Sequence, residues 1–321
     1  MVRAFAVSAA CARTAGRPGD MELASQQGSR VMTLTGLLPA ATGYGEALKR
    51  HNGHSDQPVT TGHALTTATI IANLTDLLRR CGRRLEQERL AVVGLGSVGR
   101  SVLELLFRTL PHPSALVLCD LYVKADDLKL LSQKVRDQFK FDGDIEIVAG
   151  DAGLPSAVRD TRLIVSAVDR ADVIDSSQLA PGTILLDDSY PPTFDPALAW
   201  RRMNESQDVI IASGGFARLP GPVRETFYVP NSARPFLRAY GEDNFISAFQ
   251  REPCDYTACI FAGPLALKDS ALRPETGIPT PMALEAFYRA FERYDMASAA
   301  PQCNGRLIPD WLFEKFRMRS D

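Results

Sequence analysis

Three groups of residues in this sequence could carry chemistry, and they lie far apart along the chain. A glycine-rich stretch occupies residues 90–106, a corner of two threonines, a glycine and a histidine precedes it at residues 60–63, and Cys259 follows it in a short apolar run. The glycines could bind phosphate groups, the corner could donate hydrogen bonds or move a proton, and the thiol could act as a nucleophile. A reaction that uses all three needs a fold that brings them together.

The glycine-rich stretch follows an apolar run and opens a pattern typical of an amphipathic helix. Its glycines have the spacing of a dinucleotide fingerprint: Gly94 permits a tight turn, Gly96 lets the backbone approach a pyrophosphate, and Gly99 lets the helix pack close to the strand. The N-terminus of the helix, with Ser97 and Val98, would face the phosphates. We therefore predict a dinucleotide site here, with a glycine-rich turn in an ordinary βα unit as the alternative.

Asp120 stands 21 residues after Gly99, at the end of the next predicted strand. A carboxylate at that place accepts hydrogen bonds from the ribose hydroxyls of NAD and repels the 2′-phosphate of NADP. We therefore expect NADH or NADPH as the cofactor, with NADH favoured. A strand-end cap is the structural alternative for this residue.

Small and polar residues follow the later predicted strands, at the edge where ligands collect in open α/β folds. From these segments we take four residues as candidates for cofactor contacts: Ala167, Val168, Tyr190 and Gly214. Each segment alone is also typical of an ordinary loop.

Cys259 lies in an apolar segment preceded by Asp255, a good N-cap residue, which predicts that the thiol sits near the first turn of a helix. The helix dipole would favour the thiolate there, although a cysteine on an apolar helix is more often a buried small hydrophobe. At the other corner, Thr60 and Thr61 could bind a substrate oxygen or an oxyanion, and His63 could donate to it or shuttle a proton. Capping of the following helix by one of the threonines is the alternative.

Composition narrows the class of protein. The 321 residues have a formal net charge of −2, which gives no electrostatic reason to expect nucleic acid or an anionic membrane as a partner. No apolar run approaches the roughly 18–20 residues that span a bilayer. None of the six cysteines forms a Cys-x-x-Cys pair, and the segment from His51 to His54 is typical of a turn, so no metal site is predicted. We expect a cytoplasmic protein with free thiols.

Strands and helices alternate after the glycine-rich stretch, which predicts an α/β fold. Six apolar runs indicate the strands of a doubly wound parallel Rossmann sheet: 90–93, 115–119, 144–148, 163–168, 183–187 and 209–212. We assign residues 83–229 to the dinucleotide-binding domain. Residues 1–82 with 230–321 are expected to form a mostly helical substrate domain, built from both chain ends.

The motifs occur in the same order in one enzyme family. The sequence resembles the cyanobacterial-type long-chain acyl–acyl carrier protein reductases, which form fatty aldehydes from acyl thioesters, over about residues 30–300. The shared segments are Thr60-Thr-Gly62, Val92-Val-Gly-x-Gly-x-x-Gly99, Val173-Ile-Asp175, Leu185-Leu-Asp187 with Tyr190-Pro191, Gly214-Gly215, and Ala258-Cys259-x-x-Ala262.

The resemblance implies that Cys259 accepts the acyl group, that the nicotinamide then reduces it, and that an aldehyde leaves. It implies an acyl carrier protein or CoA thioester as the partner. The aldehyde is then either released or passed to an aldehyde-using enzyme, and the sequence leaves both open. The chain departs from the family in three ways: the family has a longer N-terminal region, it favours NADPH, and it has Asn where this chain has His63. We therefore expect a different acyl pocket and a shorter or modified acyl chain.

Two other functions fit the same sequence. One is a dehydrogenase of a small hydroxy or oxo acid, similar to those acting on shikimate or quinate, in which Cys259 is structural. The other is a nicotinamide-binding protein without turnover. Acylation of Cys259 separates the thioester reductase from both.

Overall fold

The computed structural model describes residues 5–9, 28–51, 58–120, 125–149, 154–223 and 254–320, with the backbone alone for 5–9, 49–51 and 319–320. The strands are β1 (Phe5–Ala9), β2 (Met32–Gly36), β3 (Val59–Thr60), β4 (Arg89–Val93), β5 (Ala115–Asp120), β6 (Asp144–Ala149), β7 (Leu163–Ser166), β8 (Thr183–Asp187), β9 (Val209–Ser213), β10 (Phe216–Arg218), β11 (Asp255–Thr257), β12 (Ala297–Ser298), β13 (Gln302–Cys303) and β14 (Arg306–Leu307). The helices are α1 (Leu38–Ala41), α2 (Glu46–His51), α3 (His63–Arg80), α4 (Ser97–Thr109), α5 (Ala125–Phe139), α6 (Ser156–Arg159), α7 (Pro196–Glu205), α8 (Ala258–Lys268), α9 (Pro281–Arg293) and α10 (Asp310–Ser320).

The central sheet confirms the predicted fold class. Its six strands are all parallel and stand in the order β6-β5-β4-β7-β8-β9, which is the order of the doubly wound dinucleotide-binding fold. Its central strands are continuous buried apolar runs, because a parallel sheet of this kind is covered by helices on both faces. The strand order reverses between β4 and β7, and open α/β folds bind their ligands at such a point.

The carboxyl ends of the sheet strands are in register. Val93 pairs with Cys119 and Ser166, and Asp187 pairs with Ser166 and Ser213. One residue further along β5, β4, β7, β8 and β9 lie five positions that we call the edge row. In the order of these strands, the edge row consists of Asp120, Gly94, Ala167, Asp188 and Gly214. The backbone N–H of each of the last four still donates to a carbonyl of the neighbouring strand, so the sheet ladder holds the edge row in place.

Helix α3 joins the sheet to the flanking segments. It begins at His63 and ends at Arg80. Nearly every side chain up to Leu78 is buried, because α3 packs against α4, α8, α9 and the strands β8, β10 and β12. One hydrophobic core therefore contains residues of the sheet and of both flanks, and the proposed domain boundaries stay a prediction.

The flanks contain small sheets as well as helices. Strands β1, β2 and β3 form a parallel sheet beside a second core made of Met32, Leu34, Leu38, Leu48 and Val59. Strands β11, β10 and β12 form an antiparallel sheet, and β13 pairs with β14. Among the described residues, no helix has both the length and the apolar character needed to cross a membrane.

Candidate active site

The glycine-rich loop has the geometry that its spacing predicts. Gly94 has φ +86°, and a Cβ there would overlap with the carbonyl oxygen of Ala167 and the side chain of Val168. A Cβ on Gly99 would overlap with the carbonyl oxygen of Gly94. Both glycines are therefore required for the close approach of β4, β7 and α4 at the switch point.

Gly96 faces a tyrosine that the sequence analysis did not identify. The hydroxyl oxygen of Tyr44 lies 3.0 Å from the position that a Cβ on Gly96 would take. Tyr44 has φ +58° and stands between two glycines with positive φ, Gly43 and Gly45, so its turn has a left-handed backbone. The glycines on either side of the aromatic residue were the signal available in the sequence.

The Asp120 side chain is hydrogen-bonded to the backbone of the glycine-rich loop. Its carboxylate accepts a hydrogen bond of 2.5 Å from the backbone N–H of Leu95, and the residue is 4% exposed. The strand-end cap is therefore present. A ribose contact stays a prediction, and residues 121–124, which follow Asp120, lie outside the described part of the chain.

The hydroxyl groups of the threonine corner accept hydrogen bonds from backbone N–H groups of the same corner. Thr60 Oγ1 accepts a hydrogen bond from the N–H of Gly62 over 3.2 Å, and Thr61 Oγ1 accepts one from the N–H of His63 over 3.4 Å. Both threonines are buried. Helix α3 begins after Gly62 without a side-chain cap, so the hydroxyls shape the turn before the helix.

His63 connects this corner to the glycine-rich loop. Its Nδ1 is hydrogen-bonded to Ser97 Oγ at 2.8 Å, and its ring makes an edge contact with Tyr44 at 5.9 Å between centroids. Burial lowers the pKa of His63 to about 4. The imidazole is therefore neutral at physiological pH and can donate or accept a hydrogen bond, but it carries no charge.

Cys259 is the second residue of α8, close to where the sequence places it, but Asp255 is not the N-cap. Thr257 precedes the helix, while Asp255 lies in β11 and binds Arg218 of β10 through a 2.7 Å ion pair. The prediction of an Asp255 cap was wrong because a partner on the neighbouring strand takes its carboxylate.

Gly62 brings the threonine corner against Cys259. A Cβ on Gly62, which has φ +72°, would lie 2.7 Å from Cys259 Cα and would overlap with its carbonyl oxygen. Only glycine fits here, for reasons of both backbone conformation and space. The next residue, His63, contacts Ser97. Two consecutive residues therefore link the thiol segment to the dinucleotide loop.

The thiol of Cys259 is protonated at rest. Burial and the nearby Asp188 raise its pKa to about 12, although the backbone N–H groups of Ile260 and Cys259 itself act in the opposite direction. The N–H groups at the helix N-terminus do favour the thiolate, but burial raises the pKa by more than they lower it. Activation of this thiol requires a proton acceptor.

The remaining candidates line the same edge of the sheet. The N–H of Val168 donates to Ser189 Oγ over 2.9 Å, and the carbonyl of Gly214 accepts a 2.5 Å hydrogen bond from Asn73 Nδ2 of α3. Tyr190 is 56% exposed. The structure thus places these candidates at the carboxyl edge, and their contacts with a cofactor stay predictions.

Within the described residues, no group of histidine, cysteine, aspartate and glutamate side chains has an arrangement that could hold a metal ion. The side chains of His51 and His54 lie outside the described part of the chain.

Comparison with known proteins finds low similarity to several solved structures. No protein-family model matches the chain, and no curated protein matches it. Among solved structures, malic enzyme from Pyrococcus horikoshii is 16% identical with a TM-score of 0.37, over 95% of this chain and 70% of that one. The A chain of dipicolinate synthase from Bacillus subtilis is 15% identical with a TM-score of 0.36, over 57% of this chain and 56% of that one.

D-mandelate dehydrogenase from Rhodotorula graminis is 14% identical with a TM-score of 0.36, over 66% of each chain. The chain therefore matches little more than half the length of dipicolinate synthase and about two thirds of the dehydrogenase. Identities and TM-scores this low carry no argument about reaction or substrate.

Proposed function

We propose that this protein reduces an acyl thioester of CoA or an acyl carrier protein to an aldehyde, with NADH or NADPH, through an acyl-enzyme on Cys259. The observation that carries the proposal is the link through Gly62 and His63. Gly62 contacts the backbone of Cys259, and His63 is bonded to Ser97 at the start of α4. The nucleophile segment and the dinucleotide loop each contact one of these two consecutive residues, and hydride transfer to a cysteine-bound acyl group requires such proximity.

The glycine-rich loop fits a dinucleotide. The bare backbone at Gly96 and the start of α4 at Ser97 and Val98 leave N–H groups for a pyrophosphate, with the Tyr44 hydroxyl as a further donor beside it. Asp120 ends the second strand of the fold along the chain, so it is the candidate acceptor for the hydroxyls of the adenosine ribose. The edge positions Ala167, Val168, Tyr190 and Gly214 are left for the nicotinamide end. The bound cofactor would supply a hydride.

The protein's own residues account for the other steps. Cys259 Sγ attacks the thioester carbon and releases the carrier as a thiol, which divides one difficult reaction into two easier ones. The neutral imidazole of His63 and the N–H of Ile260 are the candidate donors to the oxyanion at each stage. After reduction, the bond between carbon and Sγ breaks, the aldehyde leaves and the thiol is restored.

The resemblance to the acyl–acyl carrier protein reductases supports the thioester reaction, since the Ala-Cys segment and the Thr-Thr-Gly segment meet in space. An acyl carrier protein or CoA as the carrier, an aldehyde-using enzyme as the recipient and a cytoplasmic location are parts of the same proposal.

Intact-protein mass spectrometry after incubation with acyl-CoA of several chain lengths, without a nicotinamide cofactor, tests the proposal. We expect one acyl adduct on the wild-type protein and none on Cys259→Ala. Cys254→Ala is the matched control, because Cys254 is also a partly exposed thiol on the same segment and should leave the adduct in place. Wild-type protein that takes no acyl group from any chain length would refute the proposal.

One observation favours a second candidate function. The high pKa of the Cys259 thiol suits a structural cysteine, as in a dehydrogenase of a small hydroxy or oxo acid. Cys259→Ala would then leave NAD(P)H turnover with such acids largely intact. A nicotinamide-binding protein without turnover would bind NADH and show neither acylation nor oxidation of these acids.

A further inference from the structure

Asp188 is a carboxyl group that has no part in the mechanism above. It stands in the edge row between Ala167 and Gly214, and its backbone N–H donates to the carbonyl of Ser166 over 2.8 Å. Its side chain lies on the loop that follows β9, because a Cβ on Gly215 would overlap with its Oδ1. The missing side chain at Gly215 is what leaves room for this carboxyl.

The loop that contains Gly215 also contacts the segment that carries the Cys259 thiol. The carbonyl of Gly215 accepts a 2.9 Å hydrogen bond from the N–H of Ala258, the residue before Cys259. The charge of Asp188 reaches the thiol, since after burial it is the next cause of the raised pKa of Cys259. Asp188 therefore belongs to the surroundings of the reacting sulfur.

Two consecutive carboxyl groups have opposite surroundings here. Asp187 accepts hydrogen bonds from Ser166 Oγ at 2.5 Å and from the backbone N–H groups of Ser189 and Thr193 at 3.3 and 3.0 Å. In the part of the chain that the structure describes, no donor reaches the Asp188 carboxyl. Burial, followed by the negative charge of Asp187, raises the pKa of Asp188 well above its usual value. Such a divided pair is typical of one structural and one reactive carboxyl.

We propose that Asp188 is the acid–base group of the Cys259 reaction, an inference that rests on the proposed function. As Sγ bonds to the thioester carbon, the Asp188 carboxylate accepts the thiol proton. The bond from that carbon to the carrier sulfur then breaks, and the carrier takes the proton from Asp188 and leaves as a thiol.

The second half of the reaction consumes one proton. The hydride reaches the acyl carbon, the bond from that carbon to Sγ breaks, and the aldehyde leaves. The departing sulfur takes a proton that water delivers through Asp188. Each aldehyde thus costs one hydride and one proton, and Asp188 returns to its starting state.

Two rates measured at Cys259 test this role in Asp188→Asn. The first is acyl-enzyme formation from acyl-CoA without a nicotinamide cofactor, and the second is alkylation by iodoacetamide at alkaline pH. We expect acylation to fall about 100-fold, since this is the usual contribution of a proton-transfer group. Alkylation should rise, because removing a negative charge lowers the pKa of the thiol.

Asp169→Asn is the matched control, an exposed carboxyl beyond the end of the neighbouring strand β7, and it should change neither rate. Peptide mapping shows whether the fold is intact, because the buried thiols of Cys81 and Cys303 become labelled only if the protein opens. If Asp188→Asn does open the protein, Asp188→Ser, which is smaller, replaces it.

The outcomes separate this inference from the proposed function. A parallel rise of both rates in an intact Asp188→Asn would mean that Asp188 only raises the thiol pKa, and an unchanged acylation rate would also overturn the inference. In both of these cases the proposed thioester reduction still stands, because the wild-type protein forms the acyl adduct. Absence of that adduct from the wild type would remove the function itself and this inference with it.

Discussion

The chemical role of a single residue at the edge of the sheet depends on its surroundings as well as on its position. Cys259 lies in the first turn of a helix, yet burial and Asp188 set the state of its thiol. Asp187 and Asp188 are adjacent in sequence, yet only the first has hydrogen-bond donors among the described residues. At this scale chemistry depends on which groups face each side chain.

Two substitutions of Asp120 separate its proposed role in cofactor preference from its hydrogen bond to the glycine-rich loop. Asp120→Ala leaves the buried N–H of Leu95 without its acceptor, at a cost of about 1–3 kcal/mol, so the dissociation constants of both NADH and NADPH should rise. Asp120→Asn keeps an oxygen for that N–H and removes only the charge. We expect it to shift the preference toward NADPH about tenfold, because a 2′-phosphate no longer meets a carboxylate.

Fluorescence titration of the two variants with NADH and NADPH measures both effects. The Asn variant is the control for the Ala variant, since only the latter loses the hydrogen bond. An unchanged ratio of the two dissociation constants in Asp120→Asn would mean that Asp120 serves the loop and does not select the cofactor.

At the scale of elements, the contact between the start of α3 and the start of α8 assembles the site. Gly62→Ala adds a methyl group that overlaps with the backbone of Cys259. Gly43→Ala is the matched control, because Gly43 also has a positive φ, +58°, and has nothing within 4 Å of its Cβ position. We expect about 1 kcal/mol of destabilisation for Gly43→Ala and about 3 kcal/mol for Gly62→Ala, which adds overpacking to backbone strain.

Urea unfolding measures these free energies, and the rate of Cys259 alkylation reports the position of the thiol. The alkylation rate should change in Gly62→Ala and stay at the wild-type value in Gly43→Ala. Equal destabilisation by both substitutions would contradict the close approach of Gly62 to Cys259.

The elements were predictable to different degrees for a physical reason. The central strands could be predicted because a buried parallel strand needs a continuous apolar run, and the glycine loop because its conformation admits only glycine. The cap at Asp255 was wrong, since an ion pair to Arg218 across two strands leaves no local signal. The position of Asp188 depends on the strand register and on Gly215, which only the folded sheet reveals.

At the scale of the whole molecule, His63 lies where the first flank, α4 and α8 meet, so its ionisation is coupled to global stability. The pKa of His63 is about 4 in the folded protein, against 6.5 when the chain is unfolded. Between these values the unfolded chain binds a proton that the folded protein does not, so stability falls as the pH falls. From above pH 6.5 down to pH 4 this group removes roughly 3 kcal/mol of unfolding free energy.

His63→Asn isolates this contribution, because the amide can still bond to Ser97 but does not titrate. Asp187 and Asp188 have raised pKa values and act in the opposite direction, and both remain in the variant. The difference between wild type and His63→Asn in urea unfolding at pH 7 and pH 4.5 therefore reports His63 alone. We expect the variant to lose about 2.4 kcal/mol less than the wild type over this interval. Equal losses would mean that folding does not lower the pKa of His63, which would contradict a buried imidazole that resists protonation.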